Sequence, residues 1–273
     1  MLLITGSNGQ LGTCLKEILP KAICADVGTL DITDCAAVAK FVAENGVDTI
    51  VNCAAYTAVD RAEDDAERAH KINVVGCENL AKSGAKVIQI STDYVFDGAA
   101  NTPYAETDTP NPLSVYARTK YESEKALFAN AKTAAVVRTA WLYSNIGNNF
   151  VKTIRKLGGE RKSLGVVFDQ IGTPTYAPDL ANAIKRIAEN LESGSREIYH
   201  FSNEGVCSWY DFAQAVIKLS NLQCEVLPIE SKDFPQRAKR PPFSVLNKSK
   251  FKRAFGVKIQ HWQEALEKCI SQF

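Results

Sequence analysis
The first nineteen residues constrain the fold more than any other stretch of the chain. Leu2-Leu-Ile-Thr5 has the pattern of an apolar strand, Gly6-Ser-Asn-Gly9-Gln-Leu-Gly12 that of a glycine turn, and Thr13 to Leu19 that of an amphipathic helix. In such a unit the first glycine permits a tight turn and the second lets the backbone approach a pyrophosphate. The third allows close packing of helix on strand, and the helix N-terminus attracts negative charge. Three glycines in seven residues can also be an ordinary loop, but the strand before and the helix after supply the context of a dinucleotide site. Asn8, Gln10 and Leu11 lie in the same turn and join Gly6, Gly9 and Gly12 as candidate cofactor-binding residues.

Strand and helix patterns alternate through the following residues. Strands are expected at 22–25, 49–54, 86–91 and 134–139, and helices at 34–45, capped by Thr33 or Asp34, at 66–83 and at 114–129. This alternation predicts an α/β fold, a Rossmann-type doubly wound parallel sheet covered on both faces. Beyond Thr139 the pattern loosens into a smaller mixed α/β part, and a helix over 178–191 returns to the sheet. The expected division is therefore discontinuous: residues 1–145 with about 170–195 bind the dinucleotide, and about 146–169 with 196–273 form the second domain.

Ligands of such sheets bind beyond the carboxyl ends of the strands. Asp26 closes the second strand, 20 residues after Gly6, where a carboxylate can accept hydrogen bonds from the adenosine ribose. With no basic residue between Gly6 and Gly12, that carboxylate favours NADH, because a 2'-phosphate would be repelled; a solvated loop aspartate is the other reading. Asp31 and Ile32 begin an acidic turn that could meet the adenine edge. The third strand runs into Asn52-Cys-Ala-Ala-Tyr56, where Cys53, Ala54 and Ala55 are small enough for a cofactor to lie against the backbone, or simply pack. The fourth ends in Ser91-Thr-Asp-Tyr94, bringing Thr92, Asp93 and Tyr94 to the same rim.

Tyr116 and Lys120 lie four residues apart and share one face of a helix. An ammonium held beside a phenol favours its ionised form and moves a reference pKa of about 10 toward neutrality. Tyr116 then becomes a usable proton donor, although the string alone is common as a helix-surface pair.

Together the glycine turn, the Ser91-Thr92 strand end and the Tyr116/Lys120 helix resemble the extended short-chain dehydrogenase/reductase superfamily over nearly the whole chain. Six ordered motifs resemble, more narrowly, its dTDP-4-dehydrorhamnose reductase family. They are Gly9-Gln-Leu-Gly12, Asn52 to Asp60, Ser91 to Gly98, Gly147-Asn-Asn-Phe150, Asp169 to Thr175 and Arg240-Pro-Pro-Phe-Ser244. The resemblance implies reduction of the C4 ketone of dTDP-4-dehydro-L-rhamnose to dTDP-L-rhamnose, with NADH or NADPH as cofactor. Thr92 and Tyr116 would contact the carbonyl oxygen, Tyr116 would give the proton, and Lys120 would hold the nicotinamide ribose. An alkoxide develops on that oxygen, so one donor stabilises it and one protonates it.

The substrate set implied is Thr92, Asp93, Tyr94, Trp141, Asn149 and Arg240. Residues 231–253 carry eight Lys or Arg against one acid, Asp233; most read as a solvated face, while the fork of Arg240 suits a diphosphate. Ala117, Ser123 and Cys53 depart from the family pattern by small-for-small exchange. A sugar-nucleotide dehydratase or epimerase shares the fold, but the dehydratases follow the threonine with Asp-Glu and here Asp93 precedes Tyr94. A non-catalytic, dinucleotide-binding regulatory subunit, like the beta subunit of methionine adenosyltransferase, is the third reading.

With 45% hydrophobic residues and a net charge of +1 over 273 residues, the chain has the substance for large cores and no field for nucleic acid. Partners are expected to be small molecules; a homodimer is compatible with the resemblance. A strand starting at residue 2 leaves no room for a leader, and no apolar run nears the ~20 residues of a membrane span, so a cytoplasmic location is expected. The eight cysteines lack a Cys-x-x-Cys pair and read as small buried hydrophobes. The three histidines, His70, His200 and His261, have no metal-ligand spacing, so no metal is expected.

Overall fold
The computed structural model describes residues Met1–Phe273. Its first half keeps the expected alternation: β1 (Leu2–Thr5), α1 (Gln10–Ile18), β2 (Ile23–Ala25), α2 (Cys35–Glu44) and β3 (Thr49–Asn52). Two short helices, α3 (Val59–Ala62) and α4 (Ala66–His70), lead through a π-helical turn at Lys71–Val75 into α5 (Gly76–Lys82). The continuous helix expected over 66–83 is thus interrupted by one wide turn. Then come β4 (Lys86–Thr92), α6 (Val115–Asn130) and β5 (Ala134–Thr139). Asp34 and Ser114 cap α2 and α6 by accepting the N–H of Ala37 and Ala117.

The second half contains β6 (Leu142–Tyr143), α7 (Phe150–Glu160), β7 (Ser163–Val167), β8 (Ile171–Gly172), β9 (Thr175–Tyr176) and α8 (Ala177–Asn190). It ends with β10 (Arg196–His200), β11 (Cys207–Ser208), α9 (Trp209–Leu219), β12 (Glu225–Ile229), α10 (Ser249–Phe255) and α11 (Trp262–Ile270). Six strands form one parallel sheet in the order β10-β5-β4-β3-β1-β2. All six residues of β5 are buried, as a central parallel strand requires.

Apolar side chains on the two faces of the sheet build separate cores. One face packs Leu3, Ile50 and Val87 against Val38, Leu80 and Leu127 of α2, α5 and α6. The other packs Ile4, Val51 and Val137 against Leu15, Leu180, Ile184 and Phe251 of α1, α8 and α10. The return of the 178–191 helix is therefore present as α8. A third core, with Tyr143, Phe212 and Trp262, holds α7, α9 and α11 together beside the sheet.

One expected boundary differs from the structure. The expected division places residues 196–200 in the smaller part, but β10 is the outer strand of the central sheet, paired from Arg196↔Ala134 to His200↔Arg138. Its half-exposed edge position gives Arg-Glu-Ile-Tyr-His no continuous apolar run, so the pattern conceals the strand. All eight cysteines are free thiols. Five are buried as expected, Cys53 is half-buried, and Cys24 and Cys35 are exposed. No helix is long and apolar enough to cross a membrane.

Candidate active site
The carboxyl ends of β1, β3, β4 and β5 open onto one cavity of about 760 Å³. At its floor Gly6 adopts φ +60, and a Cβ there would stand 2.6 Å from the Ala54 nitrogen. A Cβ on Gly12 would stand 2.4 Å from the Gly6 oxygen, so α1 meets the turn at a distance only glycine allows. Gly9, the N-cap of α1, offers no side chain to its first turn. The unsatisfied N–H groups of that turn adjoin the cavity wall formed by Gly9, Gln10, Leu11 and Gly12. An uncapped, glycine-lined helix start in a cavity of this size fits a dinucleotide pyrophosphate.

Other expected cofactor residues line the same space: Asp26, Asp31, Ile32, Ala54 and Ala55. The Asp26 carboxylate accepts the N–H of Asn8 at 3.0 Å and of Val27 at 2.8 Å, which fixes its place at the rim. Asp31 accepts the N–H and the hydroxyl of Thr33 at 2.9 and 2.8 Å. Those two bonds, with Lys71 nearby, hold its carboxyl below the usual range. Asn8 and Tyr56 do not reach the cavity wall. Asn8 accepts from Lys16 at 3.2 Å, and Tyr56 turns its hydroxyl toward Asp65 at 3.4 Å.

Thr92, Asp93, Tyr94, Tyr116, Lys120 and Trp141 line the same cavity. Tyr116 and Lys120 share one face of α6 as expected, but the ammonium does not bring the phenol toward neutrality. Lys120 Nζ donates to the Ile90 carbonyl at 2.6 Å, and its own pKa is pushed down to about 8 by burial. Burial pushes the Tyr116 hydroxyl up to about 12; the Thr92 hydroxyl opposes that rise and the Asp93 charge adds to it. Desolvation dominates, and Lys120 is not among the groups that act on the phenol.

Asp93 is buried, with one oxygen 3.0 Å from the Thr92 hydroxyl and the other without a partner. Burial raises its pKa to about 7, against the hydrogen-bonding hydroxyls of Ser244 and Thr92. Tyr94 stands edge-on to Tyr116 at 6.2 Å between ring centroids.

Two expected substrate residues lie outside the wall. Asn149 is the N-cap of α7: it accepts the Lys152 N–H at 3.1 Å and donates to Gln10 Oε1 at 2.9 Å and the Ser144 carbonyl at 2.7 Å. Its amide is thus committed to holding the 144–149 loop on the glycine turn. Arg240 donates to Asp60 Oδ2 at 2.7 Å, and Asp60 also accepts the N–H of Arg237 and Ala238 at 3.2 and 3.1 Å. The strap around residue 240 is thereby tied to α3, while the guanidinium lies close enough to Tyr94 to act on its hydroxyl.

Two further residues that no sequence motif marks contribute to the site, Trp209 and Asn73. Trp209, at the start of α9, lines the cavity and stacks on Trp141 with centroids 3.5 Å apart. Trp141 itself adopts φ +47, a left-handed backbone that a bulky residue keeps only when its surroundings enforce it. Asn73, in the π-helical turn, accepts the Tyr56 N–H at 2.8 Å and donates to Thr119 at 2.9 Å, joining the β3 loop to α6. A π turn is a frequent mark of a functional site, but nothing in the local sequence signals one.

The family model described as RmlD substrate binding domain matches residues 1–273. A dTDP-4-dehydrorhamnose reductase of Aggregatibacter actinomycetemcomitans is 40% identical, over 97% of this chain and 97% of its own. The crystal structure of a Clostridium acetobutylicum dTDP-4-dehydrorhamnose reductase matches with a TM-score of 0.95 at 42% identity, covering 99% of this chain and 98% of that one. The Bacillus anthracis dTDP-4-dehydrorhamnose reductase, solved with NADP, matches with a TM-score of 0.95 at 38% identity, covering 100% and 99%. A glycine-floored cavity with a threonine, tyrosine and lysine on one wall and a match from end to end lead to one conclusion: the chain belongs to the dTDP-4-dehydrorhamnose reductase family.

Proposed function
We propose that the protein reduces the C4 ketone of dTDP-4-dehydro-L-rhamnose to dTDP-L-rhamnose with NADH or NADPH, Tyr116 giving the proton. The observation that carries this reading is the meeting of Thr92, Tyr116 and Lys120 in the one cavity that the uncapped start of α1 also lines. A nicotinamide dinucleotide bound there supplies the hydride. Gly6, Gly9 and Gly12 with the N–H groups of α1 would hold its pyrophosphate, and Asp26 its adenosine ribose.

On the reacting side Tyr116, protonated at neutral pH, donates its O–H to the carbonyl oxygen as negative charge develops there. An alkoxide is a stronger base than a phenolate, so that proton transfer runs downhill despite the raised pKa. Thr92 stabilises the same oxygen, and Lys120 holds the nicotinamide ribose as an ammonium. Trp141 and Tyr94 would wall the sugar. Arg240, released from or shared with Asp60, would take the diphosphate.

The test is to mix the protein with either reduced cofactor and dTDP-4-dehydro-6-deoxysugar and follow the nicotinamide absorbance. Stoichiometric loss of reduced cofactor with formation of the 4-hydroxy sugar is expected, with NADH used at least as well as NADPH. Conversion of the sugar without net cofactor oxidation would instead support a dehydratase or epimerase. No conversion alongside tight dinucleotide binding would support a regulatory subunit.

A further inference from the structure
Behind the reacting wall lies a buried charged cluster that this chemistry does not use. Glu124, one helical turn beyond Lys120 on α6, and Arg138 on β5 are each 2% exposed. Arg138 forks onto Glu124, with Nε donating at 3.0 Å and a terminal nitrogen at 2.7 Å. Ser91 donates its hydroxyl to the same carboxylate at 2.5 Å. On its far side Arg138 lies 3.4 Å from Nε2 of His200, whose Nδ1 lies 3.0 Å from the Tyr104 carbonyl. A carbonyl only accepts, so the proton of the ring sits on Nδ1 and Nε2 accepts from Arg138. Burial, with Arg138 beside it, pushes the His200 pKa down to about 3.

The cluster is placed by register. Ser91, Arg138 and His200 are direct neighbours across β4, β5 and β10, and the next row along the sheet holds Thr92 and Thr139. One residue on β4 separates the clamp from Thr92, and one turn of α6 separates it from Lys120. Val115 and Leu127 anchor the buried face of α6 toward its two ends, while between them, around Lys120, stand the small Ala117, Thr119 and Ser123. Contacts so small define the height and roll of a helix weakly, whereas a bidentate guanidinium–carboxylate pair is directional.

We propose that Glu124 and Arg138 are positioning residues for the reduction. Their clamp sets the height and roll of α6 against the ends of β4 and β5 and so aligns the Tyr116 hydroxyl with Thr92. The inference rests on the reductase reading above. It carries a second consequence, because the Glu124 charge supports the buried Lys120 ammonium. The other groups acting on Lys120 are Cys77 on α5 and Cys53 beyond β3, thiols that burial pushes up to about 12 and keeps neutral.

The experiment compares wild type with Glu124→Gln/Arg138→Met, which removes both charges so that neither is left buried alone, and with Arg138→Lys, which keeps the charge and loses the fork. Melting temperature, NADPH affinity by nucleotide fluorescence, kcat, KM and the pH profile of kcat are measured. The double variant is expected to fold and to keep NADPH affinity and sugar-nucleotide KM close to wild type. Its kcat should fall about 10- to 100-fold, the scale of a sub-ångström to ångström misalignment. The alkaline limb of kcat should move to lower pH, and Arg138→Lys should be intermediate.

A folded double variant with wild-type kcat overturns the proposal. So does one in which affinity, kcat and melting temperature fall and KM rises together. Should the double variant fail to fold, Ser91→Ala and Arg138→Lys carry the same test, a kcat loss at unchanged KM sustaining the proposal and an unchanged kcat refuting it. A wild type that oxidises no cofactor with the ketosugar refutes the reductase reading and the positioning role with it. An active wild type matched by its variants refutes the positioning role alone.

Discussion

Tyr116 illustrates how burial and chemistry trade at the level of one side chain. With its hydroxyl raised to about 12, the phenol keeps its proton across the physiological range and is a reservoir rather than a base. Tyr116→Phe should therefore lower turnover by roughly 10²- to 10⁴-fold while NADH affinity stays near wild type; turnover within a few-fold of wild type would mean that another group gives the proton. Asp93 makes a different prediction, because its folded pKa of about 7 lies above the carboxyl value of about 3.9 expected in the unfolded chain. Between those values the folded protein holds a proton that the unfolded chain has released, so stability falls as pH rises through that window. Asp93→Asn should flatten that part of the melting-temperature profile. An unchanged slope between pH 4 and 7 would show that Asp93 is ionised in the native state.

At the scale of elements, the glycine turn is where local sequence and tertiary contact agree most closely. Gly12→Ala should drive a methyl into the Gly6 carbonyl, cost on the order of 2 kcal/mol of stability and loosen dinucleotide binding; a variant with wild-type melting and nucleotide affinity would show that α1 can retreat freely. This turn was legible because its partners lie within seven residues. The Tyr116/Lys120 face was legible because helical spacing is local. Their electrostatics were not, since spacing shows neither the Ile90 carbonyl that takes the ammonium nor the depth at which the phenol lies. Asn149 and Arg240 read as ligands from their motifs, yet each also donates to a residue more than a hundred positions away in sequence, Gln10 and Asp60. Trp209 and the π turn at Asn73 stayed hidden for the same reason: stacking and helix widening are decided by neighbours that only folding brings near.

For the molecule as a whole, the contact between Arg240 and Asp60 joins the late strap to the early cofactor-side helices. If Arg240 serves the diphosphate, Arg240→Lys should raise the sugar-nucleotide KM far more than it changes kcat, because an interaction common to ground and transition states is weakened; equal KM values would leave Arg240 as a tether only. The order of the central sheet has a bearing on synthesis as well. β5 is finished by residue 139, yet the neighbour that closes its outer edge, β10, ends only at residue 200, and the covering helix α10 only at residue 255. While the ribosome makes the intervening residues, a strand destined for full burial has one unpaired edge, the kind of surface on which nascent chains pair with each other. A chain stopped at residue 195 should accordingly aggregate, and the chain completed to residue 273 should not; equal solubility of the two would show that the open edge is shielded some other way. Translation rate and chaperone supply across residues 140–255 thus become determinants of yield, set by nothing more than where in the message the outermost strand is written.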